Sequence, residues 1–283
     1  MSERVAVIGS NGMLGRAWGE LLARQSVPCT LLARPDFDVT DVGAIASAIT
    51  DDHTAIINCA AWTDVDGAEA NEEAALKLNG EAVAMLADHA KLIDATLVHY
   101  STDYVFDGQA TEPYPIDHPR EPINAYGRTK LAGEQAIEAS GCEHLLIRTS
   151  WLYAPWAKNF VRTMIRLSKQ RDTLRVVDDQ LGRPTSSESL AITSWQLLGL
   201  NHTGTFHVCD DEQCTWFEFA REIVKATNPK CAVEPCTTAD FPTPAIRPAY
   251  SVLDLSKTIE AVGPLPTWRD NLEDVIESIR EGV

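Results

Sequence analysis

A short apolar segment followed at once by three evenly spaced glycines restricts the fold of this chain more than any other feature. Residues 4–8 read Arg-Val-Ala-Val-Ile, which is typical of a buried β-strand, and residues 16–25 have a helical pattern. Between them, Gly9, Gly12 and Gly15 permit a tight turn and let another molecule approach the backbone closely. Strand, glycine turn and helix in this order predict a dinucleotide-binding unit with the pyrophosphate at the helix N-terminus.

Strand-like and helical segments alternate through the first half of the chain. Short apolar runs typical of buried strands occupy residues 5–8, 29–33, 55–59, 97–100 and 145–148. Helical patterns occupy residues 72–90 and 126–140. This alternation predicts an α/β fold in which a doubly wound parallel sheet of the Rossmann type carries helices on both faces. Ligands in such sheets bind at the carboxyl ends of the strands, where residues 59–63, 101–103 and 149–151 are expected.

The segment Tyr126-Gly-Arg-Thr-Lys130 gives the clearest indication of chemistry. Residues four apart on a helix lie on the same face, so the phenol of Tyr126 and the ammonium of Lys130 are expected side by side. Because a nearby cation favours the phenolate, we expect Lys130 to lower the pKa of Tyr126 from its ordinary value of about 10. A hydroxyl of Ser101 or Thr102 would hold a substrate oxygen against the phenol. The pattern predicts proton transfer at a carbonyl or an alcohol, although ordinary helices also carry this spacing.

Composition excludes several kinds of partner. The chain has 24 basic and 41 acidic residues and a net charge of −17, so the clustered cations that nucleic acid requires are not expected. An anionic substrate then needs a local cation, for which Arg247 is the first candidate and Arg183 the second. No apolar run approaches the roughly 18 residues of a membrane span, and the start lacks signal-peptide features. We therefore expect a cytoplasmic protein without a membrane partner.

The cysteines are interpreted as reduced thiols. There are seven of them, an odd number that agrees with a reducing compartment. Cys209 and Cys214 form one pair and Cys231 and Cys236 another, each with four intervening residues, whereas structural zinc sites usually use closer pairs. We expect no metal site from them. Cys59 is expected to be a small packing residue beside the dinucleotide.

Six motifs in a fixed order resemble one enzyme family. They are the glycine turn, Asn58-Cys-Ala-Ala-Trp-Thr-Asp64, Ser101-Thr-Asp-Tyr-Val-Phe-Asp107, Tyr126-Gly-Arg-Thr-Lys130, Arg148-Thr-Ser-Trp-Leu-Tyr153 and Asp179-Gln-Leu-Gly-Arg-Pro-Thr185. Together with Arg247-Pro248 they extend across nearly all of the chain. The chain resembles the extended short-chain dehydrogenase/reductases, and among them the dTDP-4-dehydrorhamnose reductase family.

The resemblance implies both an organisation and a reaction. It implies a dinucleotide-binding Rossmann domain over residues 1–150 and a smaller, partly interleaved substrate domain over residues 151–283, some of whose segments return to the first. It implies an NAD(P)H-dependent oxidoreductase that reduces the 4-keto group of a dTDP-6-deoxy-4-keto-hexose, converting dTDP-4-dehydro-L-rhamnose to dTDP-L-rhamnose. Tyr126 would give a proton to the developing alkoxide, Lys130 would hold the nicotinamide ribose, and Thr102 would bind the carbonyl oxygen.

The dinucleotide is expected to contact the glycine turn and the following strand ends. The residues assigned to it there are Gly9, Asn11, Gly12, Met13, Leu14, Cys59, Ala60, Ala61 and Thr63, with Tyr126 and Lys130 at the nicotinamide. Arg34 stands where an acidic residue would grip the ribose of NAD, so it favours NADPH, with NADH left as the alternative. The resemblance places Asp38 and Val39 at the adenine and gives Asn79 a supporting role, for which satisfaction of a neighbouring backbone group is the alternative.

The nucleotide-sugar substrate is expected to contact Thr102, Asp103, Tyr104, Tyr126, Trp151 and Arg247. Core packing is the alternative for Tyr104 and Trp151. A reductase or epimerase acting on another keto-sugar nucleotide stays open, whereas a dehydratase is disfavoured because no glutamate follows Asp103. A non-catalytic regulatory subunit with the same fold is the remaining alternative, which the intact Thr102, Tyr126 and Lys130 disfavour.

Some members of the family bind Mg²⁺ at a dimer interface through glutamates. Glu188 matches one ligand position, but Ala17 occupies the position of another. The resemblance therefore leaves both Mg²⁺ binding and a homodimer open.

Overall fold

The computed structural model describes residues 4–282 of the chain. Its strands are β1 Val5–Ile8, β2 Cys29–Leu32, β3 Ala55–Asn58, β4 Thr96–Thr102, β5 His144–Thr149, β6 Leu152–Tyr153, β7 Thr173–Val177, β8 Leu181–Gly182, β9 Thr185–Ser186, β10 Gly204–His207, β11 Cys214–Thr215 and β12 Ala232–Cys236. Its α-helices are α1 Met13–Arg24, α2 Val42–Ala48, α3 Val65–Ala70, α4 Glu72–Leu76, α5 Ala82–Leu92, α6 Ala125–Ser140, α7 Phe160–Ser168, α8 Ser187–Gly199, α9 Trp216–Thr227, α10 Ser256–Val262 and α11 Trp268–Glu281.

A parallel sheet forms the centre of the molecule. Among the described residues, its six parallel strands follow the order β10-β5-β4-β3-β1-β2. Strand β2 lies on one side of β1 and β3 lies on the other, so the strand order reverses between β1 and β3. Such a reversal opens a crevice at the carboxyl ends of the two strands. The predicted Rossmann-type α/β fold is confirmed, and the structure extends the predicted strand 97–100 to Thr96–Thr102.

Both faces of this sheet are covered by helices. Val5 and Val7 belong to the core that includes side chains of α1 and α8, whereas Ala6 and Ile8 belong to the core that includes side chains of α2 and α5. Successive residues of a strand point to opposite faces, and a sheet covered on both faces needs apolar residues at every position. This explains why the strand sequences read as continuous apolar runs.

The predicted helix over residues 72–90 is interrupted. The structure has a π-helical turn at Lys77–Glu81 between α4 and α5. The backbone of α6 passes very close to this turn, since a Cβ added to Gly133 would lie 2.2 Å from the carbonyl oxygen of Asn79. Such turns occur mostly as single inserts, often at functional sites. Apolar periodicity gives no sign of the interruption, because the buried face continues through it.

The chain after residue 150 builds a second layer and also contributes to the first. The pairs β6–β9, β7–β12 and β8–β11 form small sheets, and α7, α9 and α11 enclose a core around Tyr153, Phe219 and Trp268. By contrast, β10 pairs with β5 in the large sheet, and α8 packs against α1. Within residues 4–282, no helix has both the length and the apolar character needed to cross a bilayer.

Candidate active site

The glycine turn is shaped by close backbone contacts. Gly9 has a positive φ of 74°, and a Cβ there would lie 2.8 Å from the backbone nitrogen of Ala60. A Cβ on Gly15 would lie 2.1 Å from the carbonyl oxygen of Gly9. Helix α1 begins after Gly12, which provides no side-chain cap, and its first turn contains no acidic residue. The N–H groups at this helix end are therefore available to an anion.

A cavity of about 520 Å³ adjoins this turn beyond the end of β2. Ser10, Asn11, Arg34 and Phe37 are among its lining residues. Arg34 is exposed, and its guanidinium donates to the Asp38 carboxylate at 2.9 Å. The pKa of Asp38 is lowered, mainly by hydrogen bonds from Thr40 and secondarily by Arg34. The cation assigned to the cofactor phosphate thus lies at the cavity but is already partnered.

Thr102 and Tyr126 come together where β4 ends. The Thr102 hydroxyl lies close enough to the Tyr126 phenol to act on its pKa, accepts from the N–H of Tyr104 at 3.2 Å, and donates to Oδ1 of Asp103 at 2.9 Å. The rings of Tyr104 and Tyr126 meet edge to face, 5.9 Å apart. Burial raises the pKa of Asp103 to about 6. Four of the residues assigned to the substrate therefore lie together at the end of β4, and this group is called the Tyr126 pocket below.

The expectation that Lys130 lowers the pKa of Tyr126 is wrong for this structure. Burial raises the pKa of Tyr126, and the nearby Asp103 carboxylate raises it further. The ammonium of Lys130 instead donates to the carbonyl oxygen of Tyr100 at 2.5 Å, and its Nζ lies 3.3 Å from Nε2 of His99. Helical spacing fixes the direction of the Cβ atoms, but a long lysine side chain can still turn toward the sheet. Burial lowers the pKa of Lys130 to about 8.

Ser101 faces away from Tyr126. Neighbouring strand residues point to opposite sides, and Ser101 lies on the side of Glu134, one helical turn beyond Lys130, where its buried hydroxyl has no hydrogen-bond partner among the described residues. Glu134 accepts two hydrogen bonds from Arg148, at 2.8 and 2.9 Å. Burial acts to raise the pKa of Glu134, but this ion pair and the smaller contributions of Ser101 and Arg120 together outweigh it and lower the pKa. Of the two hydroxyls considered for the substrate oxygen, the structure brings only Thr102 to the phenol.

Asn79 lies in the π-helical turn and is fully buried. Its side chain accepts from the N–H of Trp62 at 2.8 Å, and donates to the carbonyl oxygen of Trp62 at 3.2 Å and to the Thr129 hydroxyl at 3.1 Å. The hydrogen bonds of Asn79 to the backbone of Trp62 therefore fit both expectations for this residue, a supporting role and the satisfaction of a neighbouring backbone group. Asn79 ties the segment after β3 to the helix that carries Tyr126.

Arg247 and Trp151 both have partners within the protein. The guanidinium of Arg247 donates to both oxygens of Asp66 at 2.8 and 3.0 Å, and its charge acts on the Tyr104 phenol. Trp151 has a positive φ of 48° and stacks on Trp216 with ring centroids 3.6 Å apart. Trp151 therefore takes part in packing, whereas Arg247 lies beside the Tyr126 pocket. Their assignment to the substrate stays a prediction.

Two polar interactions near the site were not predicted from the sequence. His99 lies next to Lys130, and Asp66 pairs with Arg247. A signal for the first existed: His99 and Ser101 alternate on one face of a buried strand, while Lys130 and Glu134 lie four apart on the facing helix. The second offered none, because Asp66 and Arg247 lie far apart in the sequence.

The residues considered for metal binding lie apart. Glu188 pairs with Arg24 at 2.7 Å across the α1–α8 interface. Cys214 belongs to β11 and Cys236 to β12, in different small sheets. Within the described part of the chain, no group of three or more histidine, cysteine and acidic side chains is arranged to hold a metal ion.

A parallel sheet with a glycine turn after its first strand, and a Tyr–Lys helix beside a threonine at the end of its fourth, defines a Rossmann-type oxidoreductase. Residues 3–281 match the family model described as the RmlD substrate binding domain. A dTDP-4-dehydrorhamnose reductase from Streptomyces griseus is 40% identical over 280 residues, covering 96% of this chain and 92% of the relative. The chain belongs to the dTDP-4-dehydrorhamnose reductase family, which confirms the resemblance seen in its motifs.

Two further relatives bear on the reaction. A dTDP-4-keto-6-deoxy-D-glucose reductase from Streptomyces niveus is 40% identical over 273 residues, covering 95% of this chain and 94% of the relative. The structure of dTDP-4-dehydrorhamnose reductase from Bacillus anthracis in complex with NADP has 36% sequence identity and a TM-score of 0.94, and the match covers 98% of this chain and 99% of that one.

Proposed function

We propose that this protein uses NADPH to reduce the 4-keto group of a dTDP-6-deoxy-4-keto-hexose, with dTDP-4-dehydro-L-rhamnose as substrate and dTDP-L-rhamnose as product. The observation that carries this proposal is the proximity of the Thr102 hydroxyl to the Tyr126 phenol, with Lys130 one helical turn away. A hydroxyl and a phenol that meet in this way can hold one carbonyl oxygen between them.

The residues around the glycine turn fit a dinucleotide phosphate. The uncapped N-terminus of α1 offers N–H groups to a pyrophosphate, and no carboxylate in its first turn repels one. Arg34 at the adjoining cavity favours a 2′-phosphate, as does the NADP in the Bacillus anthracis relative. Gly9, Gly12 and Met13 would lie along the pyrophosphate, and Lys130 would hold the nicotinamide ribose. When bound, NADPH supplies the hydride for the keto carbon.

Tyr126 is suited to donate a proton to the sugar oxygen. Its raised pKa keeps the phenol protonated at neutral pH, and the forming alkoxide is basic enough to take that proton. Thr102 would bind the same oxygen by turning its O–H away from Asp103. Reduction then leaves a hydroxyl on the sugar and a phenolate that solvent or Lys130 reprotonates.

The nucleotide portion of the substrate requires positive charge in a chain whose net charge is −17. Arg247 supplies it beside Tyr104, with a partly exposed guanidinium. Its ion pair with Asp66 holds it in place, and a diphosphate could share the guanidinium with Asp66 or replace that carboxylate.

Another keto-hexose is the second candidate substrate. The Streptomyces niveus relative, a dTDP-4-keto-6-deoxy-D-glucose reductase, is as similar to this chain as the Streptomyces griseus one. The two sugars share the nucleotide and the 4-keto group, so the chemistry assigned to Thr102 and Tyr126 would be the same for both.

The test is a steady-state assay of NADPH consumption with each sugar nucleotide, followed by identification of the product. We expect the L-rhamnose precursor to give the higher kcat/KM, and Tyr126→Phe to lose about 100-fold or more of the turnover. Tyr114→Phe is the matched control, because this buried phenol bonds only within its own loop. A higher kcat/KM with dTDP-4-keto-6-deoxy-D-glucose would select the second substrate, and no turnover with either would reject the function.

A further inference from the structure

His99 is a buried histidine for which the reaction described above has no use. It lies on β4, is 1% exposed, and is located between two buried side chains. Its Nδ1 lies 3.0 Å from Nδ2 of Asn58, and its Nε2 lies 3.3 Å from Nζ of Lys130. A chain of polar contacts therefore runs from β3 through His99 to the amine assigned to the cofactor ribose.

One backbone contact sets the direction of these hydrogen bonds. Oδ1 of Asn58 accepts from the N–H of Ala60 at 3.1 Å, so Nδ2 of Asn58 is the atom directed at His99. An amide nitrogen can only donate, and Nδ1 of His99 must therefore accept. A neutral imidazole carries a single N–H, which is then on Nε2 and points at Nζ of Lys130.

An Nε2–H group facing Lys130 suits an amine rather than an ammonium. An ammonium has no lone pair, so two donors would oppose each other across 3.3 Å. A neutral amine accepts from His99 and still donates to the carbonyl oxygen of Tyr100, 2.5 Å away. Burial, and then the charge of Lys130, lower the pKa of His99 well below its ordinary value, while burial lowers the pKa of Lys130 to about 8. Both directions favour the uncharged forms, and above about pH 8 both groups are uncharged.

Other charges near Lys130 are already paired. Glu134 lies on the same helix and acts to raise the pKa of Lys130, but its two oxygens accept from Arg148, and Arg120 adds a third bond at 3.0 Å. The strands opposite contribute His99 from β4 and the uncharged Asn58 from β3. The direction of the hydrogen bond from Asn58 to His99 thus decides whether the amine or the ammonium of Lys130 is favoured.

We propose that, above about pH 8, Asn58 and His99 hold Lys130 in a retracted, neutral state, and that binding of the dinucleotide draws the side chain out with uptake of one proton from solvent. The proton is added to Nζ, and the resulting ammonium donates to the ribose hydroxyls, while His99 keeps its Nε2–H. Asn58 and His99 are positioning residues, since they act on the cofactor only through Lys130. The identity of the cofactor rests on the proposed function.

Calorimetry of NADPH binding tests this inference without any sugar substrate. Titrations at about pH 8.5, in buffers of different ionisation enthalpy, measure protons taken up, and the 2′-phosphate is already ionised at that pH. We expect an uptake of about one proton by the wild type. In Asn58→Asp the carboxylate would accept a hydrogen bond from an Nδ1–H group of His99, which leaves Nε2 as an acceptor and favours the ammonium before binding. Its uptake should fall toward zero.

The control for a general effect of buried histidines is His53→Gln. His53 is also buried, but it bonds Thr30 and Thr50 away from the site, so this variant should take up as many protons as the wild type. An uptake by Asn58→Asp equal to that of the wild type would overturn the inference, as would a wild type that takes up none.

Nitrogen NMR of the free wild-type protein is a second test, and it does not depend on the folding of a variant. The signals of His99, one of seven histidines, should show the neutral Nε2–H tautomer at about pH 8.5. The Nδ1–H tautomer or an imidazolium would contradict the inference. If the protein binds NADPH but reduces no sugar nucleotide, the proposed function is refuted, whereas the inference about Lys130 is not.

Discussion

The glycine turn and the Tyr126 pocket lie at the same edge of the sheet, but they are built in different ways. The turn is made of backbone, held by approaches as close as Gly15 to Gly9, and its helix end has no side-chain cap. The pocket is made of side chains, and several of them already have internal partners. Those pairs are Lys130 with Tyr100, Arg247 with Asp66, and Thr102 with Asp103; Arg34 at the cavity beside the turn is likewise paired, with Asp38.

This difference separates two tasks. A pyrophosphate needs N–H groups at fixed positions, which backbone geometry provides without rearrangement. A charged or hydroxylated side chain must stay satisfied while it is buried, because an unpaired buried polar group is costly. In the pocket, ligands therefore exchange one partner for another. Changes in the turn should weaken cofactor binding most strongly, whereas changes in the pocket should adjust affinity and pH dependence.

The largest effect is expected from Gly15→Ala. The added methyl group would lie 2.1 Å from the carbonyl oxygen of Gly9, so the turn must open or the variant must lose stability. We expect NADPH affinity to fall by about 100-fold, which corresponds to the usual cost of a backbone clash. Fluorescence titration with NADPH, together with thermal unfolding, measures both outcomes. Gly199→Ala, where no atom lies within 4 Å of the added Cβ, should bind NADPH normally; equal affinity of both variants would contradict a preformed turn.

Arg247→Gln tests the pocket next. Losing charge-assisted hydrogen bonds to a diphosphate should raise the KM for the sugar nucleotide by about 10- to 100-fold and change kcat much less. Asp66→Asn keeps the guanidinium but removes its internal carboxylate partner, so its KM should stay level or fall. Steady-state kinetics decides between these outcomes. If Arg247→Gln left KM unchanged, the guanidinium would not bind the substrate, and its role would be limited to the ion pair with Asp66.

Arg34→Ala should change the choice between cofactors. Arg34 is exposed and shares its charge with Asp38, so its contact with a 2′-phosphate is expected to be moderate. We expect the ratio of kcat/KM for NADPH to that for NADH to fall by about 10-fold. NADH is the internal control, since its kcat/KM should hardly change. An unchanged ratio would show that other residues of the cavity determine the preference between NADPH and NADH.

The smallest effect concerns Asp103 and stability. Burial raises its pKa to about 6 in the folded chain, above its ordinary value of 3.8. The protonated form is thus favoured by folding, and its contribution to the free energy of unfolding is lost as the pH rises through about 6. Asp103→Asn should therefore gain on the order of 1 kcal/mol over the wild type between pH 5 and pH 8. Chemical denaturation across this range measures it, and a constant difference would show that Asp103 is not protonated in the fold.

The strands and the glycine turn could be predicted because their signals are local. Residues 5–8 and the glycines at fixed spacing specify a strand and a turn without knowledge of the rest of the chain. Tyr126 and Lys130 were assigned to one face of one helix for the same reason, and α6 is that helix. The motifs also gave the family correctly.

The partners of these residues could not be predicted in the same way. Lys130 turned to a carbonyl of β4, and Arg247 to a carboxylate on α3, because the fold brought those acceptors close and burial required them. The interruption of the predicted helix over residues 72–90 lies where α6 passes close by, which is another contact between distant segments. Burial likewise reversed the expected direction of the Tyr126 pKa shift.

A crystal structure of the protein with NADP⁺ bound is the most direct test of the distinction between the turn and the pocket. We expect the backbone from Gly9 to Gly15 to remain within about 1 Å of its position here, while Nζ of Lys130 leaves the carbonyl oxygen of Tyr100 for the nicotinamide ribose. A complex in which the turn rearranges and Lys130 keeps its bond to Tyr100 would contradict this account.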